Sequence, residues 1–228
     1  MKILSIDTSG KYLNLGLYDS ENKAEFIYDN LDKPVKTHSI IILDEIQALL
    51  KQAKWNIENV QKIALTKGPG SFTGLRIGAT VAKIIASQIQ ADLVAISTLK
   101  VMADSQKTDP SKLIIPVIDA RNDNVFAGGY MNGNNVLVDG HYPISFLKEN
   151  YGNAIFLVPK TFDIEFKKQK IILDTQLIDP IVMAKIAETQ NPVNASDFAP
   201  SYLRKTQAEM NWLSKNKGIK REVDVFLD

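Results

Sequence analysis

Cysteine is absent from the 228 residues. Its absence excludes disulfides and thiolate metal sites, and suits a reducing compartment. Histidine is almost absent as well: His38 and His141 are the two in the chain, far apart in sequence. A histidine-rich metal centre or a Ser-His-Asp triad therefore has very little material, and no His-x-x-x-His occurs. There is no excess of charge either. The formal net charge is +1, so no global field draws in nucleic acid or an acidic membrane. No apolar run approaches the roughly 20 residues needed to span a bilayer. Met1-Lys2 leads into a short strand-like run and then Asp7, which does not read as a secretory leader. The expectation is a soluble cytoplasmic protein. At 45% hydrophobic residues, a chain of this length has ample material for a core.

The stretch around which the rest is organised is Lys67 to Gly78, Lys-Gly-Pro-Gly-Ser-Phe-Thr-Gly-Leu-Arg-Ile-Gly. An apolar run, Ile63-Ala64-Leu65, feeds into it and a long helical pattern leaves it. Gly68 and Gly70 bracket Pro69, which predicts a sharp turn. Ser71 stands where a helix N-cap belongs, without the acidic partner of a full capping box. A strand, a glycine turn and a helix start can cradle a phosphate. The spacing, however, fits neither the Walker pattern nor Gly-x-Gly-x-x-Gly. The alternative is that the glycines let the helix pack very close to its neighbours. The helix over 71–89 has one stripe of Leu75, Ala79, Ala82, Ala86 and Ile89, and a second apolar region of Ile77, Val81, Ile84 and Ile85. The helix over 37–54 is similar: Ile42, Ile46, Leu49 and Ala53 form one stripe, Leu43, Gln47 and Leu50 an adjacent one, and Ile40 and Ile41 widen the arc. Both arcs exceed what contact with a single core requires.

Taken in order, the first half reads β-β-β-α-β-α-β, and the second half begins again. Leu113 to Ile118 is an apolar strand ending in Asp119, as Ile3 to Ile6 ends in Asp7. An offset of 112 aligns Ile6 with Ile118, Asp7 with Asp119, Gly16 with Gly128, Tyr18 with Tyr130 and Asn22 with Asn134. This points to a duplicated unit. The expected organisation is an N-terminal lobe over 1–103, a smaller C-terminal lobe over 104–205, and a polar, basic tail over 206–228, partly disordered or a loosely attached helix. Lys215 to Arg221 in that tail could touch RNA, although a solvated terminus is the plainer explanation.

Two half-domains, each with a strand ending in aspartate before a hairpin, imply a cleft with Asp7 and Asp119 facing across it. The carboxylates could hold Mg²⁺ through water, and the turn at Asp7, Thr8 and Ser9 could hold phosphates. That layout resembles the sugar kinase, Hsp70 and actin (ASKHA) superfamily: an α/β fold of two lobes, each a mixed sheet flanked by helices. Its adenosine clasp, a Gly-Gly pair opening a helix in the second half, is missing. After Gly152 the chain has only Gly218, in the tail.

Gly68-Pro-Gly-Ser-Phe-Thr-Gly-Leu-Arg-Ile-Gly78 resembles the signature of the bacterial TsaB (YeaZ) family of tRNA threonylcarbamoyladenosine biosynthesis. Ile3 to Ser9 is similar to that family's Ile-x-x-Ile-Asp-Thr-Ser opening, and Thr37-His38-Ser39 to its start of the first helix. Val117 to Phe126 is similar to its Asp-Ala-Arg hairpin, and Pro200-x-Tyr202-Leu-Arg204 to its C-terminal motif. The resemblance covers about residues 1–205. It implies a non-catalytic scaffold with no cofactor or metal of its own, paralogous to the catalytic subunit TsaD. TsaD carries a metal on a His-x-x-x-His helix; Thr98 and Met102 occupy those positions here, and neither replaces imidazole as a ligand. It further implies that helices 37–54 and 71–89 pack on the equivalent pair of TsaD, or on a second copy in a homodimer, through Ile42, Ile46, Leu49, Leu75, Arg76, Ile77, Val81 and Ile84. An ATPase, TsaE, would join the pair, tRNA would be reached through the complex, and ATP or ADP would sit, if anywhere, at the subunit junction. The competing expectation is a stand-alone ATP-dependent kinase or ATPase using Asp7 and Asp119.

Overall fold

A computed structural model describes residues 1–22, 24–29, 38–106, 108–159, 170–173 and 178–203. Thr37, Arg204 and the whole tail 206–228, including Lys215 to Arg221, lie outside the described residues.

The first sheet is built from β1 (Lys2–Asp7), β2 (Asn14–Asp19), β3 (Ala24–Asp29), β4 (Lys62–Gly68) and β5 (Asp92–Ser97), in the order β3-β2-β1-β4-β5. β1–β2 and β2–β3 are antiparallel; β1–β4 and β4–β5 are parallel. The central strands β1 and β4 are buried on both faces. Helices α1 (His38–Ala53) and α2 (Phe72–Ile89) cover one face. Ser71 caps α2 by accepting from Gly74 N at 3.2 Å, and Gln90 ends it in the left-handed region at φ 55°. A short helix α3 (Thr98–Asp104), capped by Ser97, follows β5 on the opposite face. Its seven residues are too few for periodicity to announce, and the sequence order given above omits it.

The second sheet contains β6 (Ile114–Asp119), β7 (Asn124–Met131), β8 (Asn134–Pro143), β9 (Ile155–Pro159) and β10 (Lys170–Leu173), with α4 (Ile144–Asn150) on its far side. Its order, β8-β7-β6-β9-β10, repeats the first with the same sense of pairing. The fold is thus a duplicated ASKHA-like one.

The repeat has a register that simple alignment misplaces. Ile3 and Ile114 pair with Tyr18 and Tyr130 and turn with them into the same core, an offset of 111 between β1 and β6. The packing agrees. Leu4 and Ile6 point toward α1 and α2, as Ile115 and Val117 point toward α4. On β2 and β7 the offset is 112: Tyr18 pairs with Ile3, and Tyr130 with Ile114. One extra residue in the second hairpin therefore separates the two alignments. The equivalent of Asp7 is Ile118, and Asp119 falls at the position of Thr8. A one-residue slip turns a strand side chain to the other face, so the pairing of Asp7 with Asp119 inferred from sequence is corrected here.

Between the sheets lies a core of Ile3, Ala64, Val94, Leu99, Met102, Tyr130 and Leu157, completed by α5 (Pro180–Thr189). Although α5 follows β10 in the chain, it packs on the first sheet. Ser5 Oγ donates to Pro180 O at 2.6 Å, and Gly16 leaves room where a Cβ would meet Pro180 Cβ at 2.9 Å. Lys62 Nζ donates to the carbonyls of Ala187, Glu188 and Gln190 and so closes the C-terminal end of α5. The following strap, 190–203, stays on this lobe. Val193 N donates to Leu93 O, Lys83 Nζ to the carbonyls of Ser196 and Phe198, and Ser201 N to Lys67 O. Among the described residues no helix is long and apolar enough to cross a membrane.

Candidate functional site

The turn after β1 is a closed piece of structure. Asp7 is 1% exposed and accepts three hydrogen bonds: from Ser9 N at 3.0 Å, Thr66 Oγ1 at 2.8 Å and Asn14 Nδ2 at 2.8 Å. Three of about four acceptor positions are thereby taken, and the carboxylate is out of reach of solvent. Thr8 is fully buried and donates through Oγ1 to Gly74 O at 2.7 Å. Ser9, also buried, accepts from Ser71 N at 2.7 Å through its carbonyl.

The glycines of the 67–78 stretch allow this contact. A Cβ at Gly70 would stand 2.4 Å from Ser9 O, one at Gly74 2.0 Å from Thr8 O, and one at Gly78 2.3 Å from Thr8 Oγ1. Of the two readings of this stretch, close packing is the one realised. The space a phosphate would need at the start of α2 is filled by the Thr8–Ser9 backbone, and Ser71 N and Gly74 N are already engaged. Asp119, by contrast, is exposed and accepts from Arg121 N at 2.7 Å. Asp7 and Asp119 thus differ in burial, in bonding and in repeat position, and together they do not fit a Mg²⁺–nucleotide site. Thr98 and Met102 are wholly buried in the inter-sheet core. Among the described residues no three His, Asp or Glu side chains gather as metal ligands would.

The lobes are tied by a polar contact that sequence reading missed. Asp139 on β8 accepts from Tyr130 Oη, from Asn135 Nδ2 and, across the lobe boundary, from Ser97 Oγ. Gly128 makes room for it. Burial first, and then the neighbouring Asp139 carboxylate, pushes the Tyr130 phenol well above its ordinary value of 10.0. The folded state holds the proton more tightly than the unfolded one. The corresponding stability is complete below pH 10.0 and is lost as pH rises beyond it. In denaturant titrations, Tyr130→Phe is expected to reduce the steepness of the stability loss above pH 10; an unchanged slope would mean that Tyr130 ionises freely in the fold.

The two outer helices present a group of exposed apolar side chains. Ile40 is 72% exposed, Leu43 59%, Ile84 57% and Phe72 43%. Between α1 and α2 runs a groove of about 450 Å³ lined by Leu43, Phe72, Arg76, Ile77 and Val81, with Ile42 at its base. Arg76 lies over the Phe72 ring at 4.1 Å, and its Nε donates to Tyr202 Oη at 3.0 Å. Tyr202 in turn packs on Phe72 with ring centres 5.0 Å apart. Of the interface residues expected from sequence, Arg76 and Ile84 are exposed, and Ile77 and Val81 half-buried. Ile42, Ile46, Leu49 and Leu75 are 1–4% exposed, the first three in the chain's own core against the first sheet. On α1, Ile42, Ile46 and Leu49 form the inner stripe. Its outer neighbour, Ile40 and Leu43, lies on the adjoining arc, and Phe72 sits at the first turn of α2. Apolar residues outside the stripe that one core contact consumes were the available signal.

Comparison with known proteins adds the following. A family model described as TsaD, tRNA N6-adenosine threonylcarbamoyltransferase, matches residues 33–148. The tRNA threonylcarbamoyladenosine biosynthesis protein TsaB of Bacillus subtilis is 29% identical over 236 aligned residues, covering 95% of this chain and 100% of that one. The protein of the same name from Buchnera aphidicola of Schizaphis graminum is 32% identical over 149 residues, 65% of this chain and 69% of its own. Among solved structures, YeaZ from Pseudomonas aeruginosa superimposes with a TM-score of 0.70 at 23% identity, over 89% of this chain and 99% of that one. That likeness is one of fold.

Proposed function

Because the chain belongs to the TsaB (YeaZ) family, we propose that it serves tRNA threonylcarbamoyladenosine biosynthesis as a non-catalytic scaffold for a catalytic subunit of its own fold, TsaD. The observation that carries this reading is the apolar face of α1 and α2 that the other described residues leave exposed. A contiguous apolar patch of this kind marks an interaction surface. A paralogue presents an equivalent pair of helices, so the contact is pseudo-symmetric, and a second copy of this chain can take the same place when the paralogue is absent. Arginine and aromatic residues at the centre, here Arg76 and Phe72, are the residue types that anchor such contacts.

The lack of catalysis in this chain is supported by side-chain chemistry. Asp7 is saturated, and Thr98 and Met102 are core residues. The transfer of threonylcarbamoyl to N6 of adenosine beside the tRNA anticodon then falls to TsaD, with TsaE as the ATPase partner, in the cytoplasm. Any ATP or ADP is held at the junction of subunits, with this chain supplying part of the site.

The test is reconstitution. The purified chain, inert alone, is expected to restore threonylcarbamoyl transfer to tRNA when added to TsaD and TsaE. Turnover of ATP by the isolated chain, or transfer of equal rate without it, would overturn the reading.

A further inference from the structure

A recess of about 160 Å³ lies where the chain passes from α3 to β6. Asp104 of α3, Ile114 of β6 and Tyr130 of β7 line it, together with Gln106 and Thr108 of the connection. The β7–β8 turn is fastened to that connection by Asn132 N, which donates to Pro110 O at 2.7 Å. Two side-chain atoms here are out of reach of solvent and have no protein partner: Gln106 Nε2 and Thr108 Oγ1. Their surroundings are otherwise accounted for. Gln106 N donates to Ala103 O at 3.3 Å, and Ser105 Oγ accepts from Asp179 N at 3.1 Å. Buried polar atoms are nearly always hydrogen-bonded, and an unpaired one works against folding. Leucine at 106 and valine at 108 would fill the same space without that cost. Neither polar atom serves the fold, so an occupant must use them.

We propose that this recess binds a small α-amino acid, its carboxylate received by Gln106 Nε2 and Thr108 Oγ1, its ammonium by Asp104, and its short side chain by Ile114 and Met131. Size sets the first limit. At about 30 Å³ per water the space equals roughly five waters, which suits a molecule of about five to eight non-hydrogen atoms. Water alone is a poor filling, since each molecule needs two to four polar partners and Pro110, Ile114 and Met131 supply no side-chain partner. Charge sets the second limit. An amide N–H and a hydroxyl on one recess suit the two oxygens of a carboxylate. The Asp104 carboxylate repels a plain anion, so the same molecule must also carry a cation. Lys100 Nζ pairs with Asp104 through Oδ2, which holds the carboxylate in its charged form without occupying both oxygens. The inference does not depend on the function proposed above.

Calorimetric titration of the full-length chain with L-alanine, L-serine and L-threonine is the test. At least one is expected to saturate a single site per chain with a Kd of about 1 mM or tighter. In heteronuclear NMR spectra the amide shifts should be confined to residues 103–109 and 130–133. Propionate lacks the ammonium and alanine methyl ester lacks the carboxylate; each should bind at least about ten-fold more weakly. Gln106→Glu replaces the donor by an acceptor of the same shape and should weaken binding by about ten-fold or more. Thr108→Val should weaken it about five-fold and, without ligand, melt at or above the parent temperature, because it removes an unpaired hydroxyl. Val138→Glu, at an exposed position on β8, serves as the control and leaves binding unchanged. No saturable heat with any of the three amino acids, shifts spread beyond the recess, propionate binding as tightly as alanine, or a lowered melting temperature in Thr108→Val would each overturn the proposal.

Discussion

Gly74→Ala should destabilise the chain by about 3 kcal/mol, even though alanine is the better helix former. Helix propensity alone favours the substitution by about 1 kcal/mol. Against that gain stands a Cβ placed 2.0 Å from Thr8 O, a buried backbone atom. A flexible side-chain end could swing away, but this carbonyl cannot. It belongs to the turn between Asp7, held by three hydrogen bonds, and Ser9, which receives Ser71 N. Accommodating the methyl group means sliding α2 off the turn. That breaks the Thr8–Gly74 hydrogen bond and opens the core beneath Leu75, Ala79 and Ala82. A cost of this size is a large share of the stability of an ordinary domain, about 5–15 kcal/mol. Gly152→Ala is the matched comparison. The nearest atom to a Cβ there is Lys148 O at 3.2 Å, at the exposed end of α4. Its expected effect is within about 1 kcal/mol. Urea midpoints for the two variants decide the matter, and a Gly74→Ala chain as stable as the parent would refute the close contact between α2 and the turn.

That contact also indicates how far the sequence could be read. Glycines at 70, 74 and 78 recur at helical spacing, so a helix pressed against something was legible; what it presses on, the Thr8–Ser9 backbone, is distant in sequence and was not. The duplication was legible because each half sets an apolar strand before a hairpin, with Gly16 and Tyr18 matched by Gly128 and Tyr130. The residue-level match failed at Asp119 because a hairpin can gain one residue without disturbing either strand's composition, and identity of residue type does not report which face a strand side chain takes. The placement of α5 on the first sheet was invisible for a related reason. It depends on Ser5, Gly16 and Lys62, none of which carries a sequence signal for a helix more than a hundred residues away. On α1, periodicity announced an apolar arc too wide for one core, yet it could not say which edge of the arc the sheet would claim. The sheet claimed Ile42, Ile46 and Leu49, leaving Ile40 and Leu43 outside.

The distinction between the two edges makes the proposed interface separable from the fold. Ile84→Glu is expected to leave folding within about 0.5 kcal/mol of the parent, because a side chain 57% exposed gives up little when it becomes charged. The same change should weaken binding of TsaD by thirty-fold or more, the effect of about 2 kcal/mol at the centre of an apolar contact. A carboxylate there must lose its water when the helices of the partner close over it, and the cation nearest in sequence, Lys83, is already engaged by the carbonyls of Ser196 and Phe198. Val81→Arg acts in the same direction but less cleanly, since its half-buried position and long stem let the guanidinium reach solvent. Ile42→Glu reverses the pattern. Ile42 is 1% exposed in the core against the first sheet, and an unpaired carboxylate there costs several kcal/mol, enough to leave the chain largely unfolded before any partner is offered. Measured by calorimetric titration with TsaD alongside thermal melts, a folded Ile84→Glu chain that bound with parental affinity would remove α2 from the interface. The contrast with Ile42→Glu ensures that loss of binding in Ile84→Glu reports the surface and not the fold.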